Sequence, residues 1–75
     1  MELKDFLEKF EQQLEDVEPG TITADTNFRE LEEWDSMTSL VIIAMVDREF
    51  NKQVSGNDII ESTTVEDLFN IIKNK

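Results

Sequence analysis

The sequence predicts an all-α fold: a small helical bundle of three main helices and one short helix, with a long loop between the first and second helices. Three observations carry this expectation. Apolar residues recur at three- and four-residue steps near both ends of the chain, the spacing of one helix face. An unbroken apolar run, Leu40-Val41-Ile42-Ile43-Ala44-Met45-Val46, follows Asp35, a residue type that closes helix N-termini. Finally, 75 residues with 39% apolar content suit one domain, residues 1–75, with a limited core and no room for a deep active site built from several loops.

The first helix is expected from Glu2 to about Val17, where Leu3, Phe6, Leu7, Phe10, Leu14 and Val17 make a single stripe between charged and amide side chains. Glu18-Pro19-Gly20 is the expected stop, because the residue before proline is pushed out of helical space. Residues 21–35 lack sustained periodicity and read as a loop, with one helical turn at Phe28-Arg29-Glu30-Leu31. Ile22, Phe28 and Leu31 are the expected tacks that hold it down. Trp34 reads as a packing residue at a helix entrance, with direct contact to a cofactor or partner as the other reading.

The second helix is expected from Ser36 to Phe50, with Asp35 as N-cap. A central strand over 40–46 is the structural alternative, disfavoured by the cap and by the continuation through Asp47-Arg48-Glu49-Phe50. Spacing assigns Ile42, Ile43, Val46 and Phe50 to the core. Met37, Val41, Ala44 and Arg48 then share another stripe, with Leu40 and Asp47 beside it. A helix apolar nearly all round in so small a protein leaves apolar surface exposed, and those six residues are the expected partner-binding face. After a turn over 51–56, Asn57-Asp58-Ile59-Ile60-Glu61 is the short helix. The last helix carries Val65, Leu68, Phe69 and Ile72 on its buried stripe and opens on a capping box, either Thr63 with Glu66 or Thr64 with Asp67. Lys73 and Lys75 suit the negative end of its dipole.

Composition excludes several classes of function. Eighteen acidic against seven basic side chains, a net charge of -11, argue against nucleic acid and anionic membranes and favour partners with basic patches. The absence of Cys and His removes thiolate nucleophiles, disulfides and the commonest general base and metal ligand, so neither an enzyme nor a metal site is expected. No Asp-x-Asp/Asn-x-Asp/Asn-Gly calcium loop occurs. Residues 1–5 show no signal-peptide progression and no apolar run approaches the roughly 20 residues of a membrane span, so a cytoplasmic location is expected, and the small size and charge suit a monomer.

The remaining candidate is Ser36. A phosphate joined to a hydroxyl in the first turn of a helix lies near unpaired amides and the positive end of the dipole. Asp-Ser-Met alone is a short signal, and a serine there is otherwise an ordinary helix-start residue. The order of elements adds to it. An amphipathic helix, an acidic loop with Phe28 and Leu31, Trp34-Asp35-Ser36-Met37 opening an apolar helix that closes with Glu49-Phe50, a short helix, and Thr63-Thr64-Val65 opening the last together resemble the acyl carrier protein family along nearly all of the chain.

The resemblance implies a four-helix bundle whose second helix is presented to successive enzymes. It implies that Ser36 is esterified with phosphopantetheine from coenzyme A by a separate phosphopantetheinyl transferase, that Asp35 helps that enzyme recognise the serine, and that Met37 touches partners. A chain without Cys obtains the thiol for a thioester only from such an arm. The sequence departs from many fatty-acid carriers of the family, which have Gly where Glu33 stands and acidic side chains where Val41 and Arg48 stand. Val41 and Arg48 make the partner face less acidic and more apolar and point to a dedicated partner. Glu32, Glu33, Asp35, Asp47, Glu49 and Asp58 are the remaining candidates for electrostatic docking. The leading expectation is a carrier of acyl thioesters serving acyl-transferring or synthase enzymes of fatty-acid or polyketide-like biosynthesis. Two alternatives stand beside it: an aminoacyl carrier of the D-alanine or peptidyl type, and an unmodified acidic helical module that binds its partner through the second helix.

Overall fold

The computed structural model describes residues 2–14, 17–18, 20–32 and 34–75. Four helices follow one another: α1 over Leu3–Gln12, α2 over Ser36–Phe50, α3 over Gly56–Glu61 and α4 over Val65–Lys73, with a 3-10 turn at Phe28–Glu30 between α1 and α2. No strand is present among the described residues; the sole ladder contact there is an antiparallel bridge between Asn27 and Thr64. The all-α bundle with three main helices, one short helix and a long first connection is thus the observed architecture.

α1 is shorter than its periodicity suggests, ending at Gln12 rather than near Val17. The cause is a long-range contact. The Glu11 carboxylate accepts hydrogen bonds from the backbone amides of Gly20 (3.0 and 3.1 Å) and Ile22 (3.1 Å). Those bonds hold the returning chain against the last turn of α1. The Gln13 and Leu14 amides, bonding to the carbonyls of Phe10 and Glu11, tighten the end into 3-10 form. Leu14 still reaches the core, but from beyond the helix. Gly20 has φ +89°, a backbone region that a residue with Cβ rarely adopts. Pro19, part of the expected stop, lies outside the described residues.

Phe6, Phe10 and Phe28 are fully buried and form the middle of the core. Phe6 meets Phe10, Phe50 and Phe69 at ring-centroid distances of 5.9, 6.0 and 5.7 Å, and Phe10 meets Phe28 at 6.0 Å. One aromatic chain therefore joins α1, the 3-10 turn, α2 and α4. From α2 the buried residues are Ile42, Met45 and Val46, while Ile43 and Phe50 are only partly buried against them. α4 buries Val65, Leu68, Phe69 and Ile72, the stripe its spacing predicts.

The loop between α1 and α2 is fastened at several points. Asn27 caps the 3-10 turn by accepting from the Arg29 amide at 3.1 Å. Ile22 and Phe28 are buried tacks, and Leu31 packs on the core at its edge. The carbonyls of Thr26 and Ala24 accept from the Val65 and Glu66 amides, each at 3.0 Å. Two first-turn donors of α4 are thereby satisfied by the loop. A third, the Asp67 amide, bonds the Thr64 hydroxyl within a capping box, so of the two boxes the sequence allows, the structure forms Thr64 with Asp67.

α2 ends at Asn51, which adopts a left-handed conformation (φ 55°, ψ 40°) and returns its amide to the Asp47 carbonyl. α3 is brief and mostly polar in its attachments. It opens on a Ser55/Asp58 capping box, buries Ile59, and is tied to its surroundings by the Lys75–Asp58 ion pair (3.0 Å) and by Arg29 Nη2 donating to the Ile59 carbonyl (3.2 Å). Ser62, a fully buried hydroxyl that the sequence gives no reason to single out, donates to the Asp58 carbonyl at 2.9 Å.

Candidate functional site

The junction of loop and α2 is built from the Trp34 ring, the Asp35 carboxylate and the Ser36 hydroxyl. Trp34 is half-buried and lies nearly parallel to Phe10 (5.9 Å, 4°) and tilted against Phe28 (4.7 Å, 54°). Packing is therefore the observed role of this side chain. The next residue is extended (φ -149°, ψ -174°), which turns the Asp35 carboxylate back over the helix it precedes. Asp35 Oδ1 accepts from the Thr38 amide at 2.8 Å and from the Thr38 hydroxyl at 3.0 Å. These two bonds, the backbone one foremost, hold the Asp35 carboxyl below its ordinary value, so it stays ionised throughout the neutral range.

Ser36 is the first residue of a 15-residue helix and is exposed. Its neighbours favour an anionic ester there. The helix dipole places partial positive charge at this end, and a phosphodiester on the hydroxyl lies within that field. Asp35, already engaged by Thr38, is the opposing negative charge. Nothing around Ser36 is a general base of the usual kind, since the chain has no His.

Beside Ser36 runs a cleft of about 340 Å³ between α2 and α3, lined by Ser36, Ser39, Leu40 and Ile43 on one side and by Gly56, Ile59 and Ile60 on the other. Leu40 and Ile43 also line a second cleft of about 340 Å³, which continues along α2 to Ala44, Asp47, Gln53 and Val54. The two hollows have Leu40 and Ile43 in common.

The outer face of α2 is apolar and exposed: Met37 is 70% accessible, Leu40 64% and Val41 37%, with Ile60 of α3 at 67%. Ala44, Asp47 and Arg48 are exposed on the same helix. The six residues expected on a partner face are thus all at the surface, and the structure adds Ile60 to them. Sequence spacing did not single out Ile60 because the adjacent Ile59 carries the same chemistry and is the one buried.

Of the acidic side chains expected to be available for docking, several are engaged within the molecule. Glu49 receives Arg48 Nε at 3.2 Å and Lys9 Nζ at 3.3 Å, and these bonds, Arg48 first, lower its pKa. Arg48 therefore sits beside a carboxylate. Asp58 accepts from the Ser55 amide and pairs with Lys75, which together lower its pKa, the amide bond first. Glu32 and Asp47 are exposed, and Glu33 lies outside the described residues. Among the described residues no group of three or more acidic side chains is placed to hold a metal ion, and no helix is long and apolar enough to cross a membrane.

The sequence was also compared with known proteins. No curated protein and no solved structure matches the chain. A family model does match: that of the phosphopantetheine attachment site, over residues 4–72, nearly the whole length and including the Asp35-Ser36-Met37 junction. The chain therefore belongs to the phosphopantetheine attachment family, and is a carrier protein whose prosthetic group is covalently attached phosphopantetheine.

Proposed function

We propose that this protein is an acyl carrier: Ser36 bears the phosphopantetheine arm, and the arm holds acyl intermediates as thioesters for delivery to partner enzymes of fatty-acid or polyketide-like biosynthesis. The observation that carries the choice of cargo is the cleft beside Ser36. Beyond Ser36, Ser39 and Gly56 its lining is Leu40, Ile43, Ile59 and Ile60, all apolar. A hydrocarbon chain tethered at the serine gains by leaving water for such a surface, at roughly 25 cal/mol per Å² buried. The ammonium of an aminoacyl group loses solvation there. An aminoacyl cargo is the second reading, and the same lining weighs against it.

In the modifying reaction Ser36 Oγ forms a bond to the phosphorus of the phosphopantetheine half of coenzyme A, the pyrophosphate bond breaks, the adenine nucleotide leaves, and the hydroxyl proton is released. The arm supplies the thiol that this Cys-free chain lacks. Asp35 fixes the first turn and offers a carboxylate next to the serine for the transferase to read. Met37, Leu40, Val41, Ala44, Asp47 and Arg48 make the docking face, on which apolar contact is bordered by negative charge that draws basic patches on partners. We place the carrier in the cytoplasm, with no turnover of its own.

The cargo is tested on protein purified from its native host. Intact mass together with loading by acyl and by aminoacyl ligases distinguishes the readings. An acyl thioester supports the acyl carrier, whereas exclusive loading with an amino acid replaces it by the aminoacyl carrier. Native protein without an arm would favour the unmodified interaction module.

A further inference from the structure

We propose that Trp34 is a positioning residue for modification of Ser36: its ring anchors the start of α2 to the core so that the transferase meets a fixed serine. This rests on the assignment of Ser36 as the attachment residue. The case begins with what α2 does not bury. None of its first six residues, 36–41, is buried, and the first to reach the interior is Ile42, almost two turns beyond the serine. The Asp35 cap bonds Thr38, and the Asp35 carbonyl bonds the Ser39 amide and hydroxyl. These are local contacts that shape the helix start.

Anchorage comes from the residue before the cap. Among the described residues between 32 and 41, Trp34 is the one hydrophobic side chain packed on the core. Its ring contacts reach two separate elements, Phe10 of α1 and Phe28 of the 3-10 turn. Its amide donates to the Leu31 carbonyl at 3.0 Å, which fixes the turn that delivers the ring. The tryptophan is two residues from the serine in sequence and is the side chain that packs this end of α2 against the core. A serine held in one place is encountered in a productive geometry, whereas a start that swings free is competent for only a fraction of encounters, and the apparent affinity falls by that fraction.

The test uses the whole chain, coenzyme A and a phosphopantetheinyl transferase, with steady-state rates for wild type, Trp34→Leu and Trp34→Phe. Circular dichroism and urea titration establish how much of each is folded. The expected result for folded Trp34→Leu is a KM for the carrier raised about tenfold with kcat within about twofold, and recovery of most of the loss in Trp34→Phe. A folded Trp34→Leu with wild-type KM overturns the proposal, and so does a fall in kcat alone. Should Trp34→Leu fail to fold, wild-type backbone relaxation decides. Order parameters near about 0.85 at Asp35 and Ser36 support anchoring, and values below about 0.6 overturn it. Failure of the wild type to be modified at Ser36 counts against the attachment assignment instead.

Discussion

Replacing Phe10 with alanine tests the central packing claim. The ring is fully buried and meets Phe6 at 5.9 Å, Phe28 at 6.0 Å and Trp34 at 5.9 Å, so its removal leaves a void bordered by other rings. Phe→Ala substitutions in cores cost about 3–5 kcal/mol, made up of lost transfer free energy and an unfilled cavity. A chain of 75 residues has a total stability of roughly 4–11 kcal/mol on per-residue averages. The substitution therefore removes roughly a quarter or more of the stability, and at the lower bound of that stability it removes most or all of it. Urea titration followed by fluorescence of Trp34, the single tryptophan, is a suitable assay because that ring sits against the altered site. Wild type and variant are expected to share a common slope while the midpoint falls, as for a change in stability without a change in the unfolded state. A loss below about 0.5 kcal/mol would refute the placement of Phe10 at the centre of the core, since that is the scale of surface substitutions.

Two further outcomes follow from the charges. With a net charge of -11, moderate salt is expected to raise the melting temperature by screening self-repulsion, and a flat or falling melting temperature would contradict this. Asp67, whose carboxylate accepts from the Thr64 and Thr63 amides, has a pKa lowered from its ordinary 3.8, the Thr64 bond being the largest cause. A group depressed in the folded state stabilises above its unfolded value, and that contribution disappears as pH falls through the folded one. The melting-temperature advantage of wild type over Asp67→Ala is therefore expected to be steady at neutral pH and to shrink below 3.8. An advantage that grows on acidification would show the sign to be wrong.

The parts of the fold legible in the sequence are those with a local cause. The caps at Asp35 and Thr64 and the stripe of α4 need only neighbouring residues, and each is found where its pattern lies. The end of α1 has a remote cause. Leu14 and Val17 continue the helical spacing, and nothing near them signals that Glu11 will bind the amides of Gly20 and Ile22. Spacing assigns Ile43 to the core and leaves Met45 on no face, because the unbroken apolar run 40–46 gives little contrast between one side and the next. The structure buries Met45 fully and leaves Ile43 at the edge. Val54, in a segment that reads as a turn, is buried for the same kind of reason, because a lone apolar residue has no period. At the candidate site, the Asp-Ser-Met junction and the exposed face of α2 were legible. The cleft between α2 and α3 was not, because it depends on how two helices meet. Nor was the engagement of Glu49 by Lys9 and of Asp58 by Lys75, since both pairs span distant positions in the chain.

The central claim, that Ser36 is where the arm is attached, is tested most directly by intact mass after incubation with coenzyme A and a phosphopantetheinyl transferase. Wild type is expected to gain the mass of one phosphopantetheinyl group and Ser36→Ala none. An unchanged wild-type mass, or a labelled Ser36→Ala, would contradict the account.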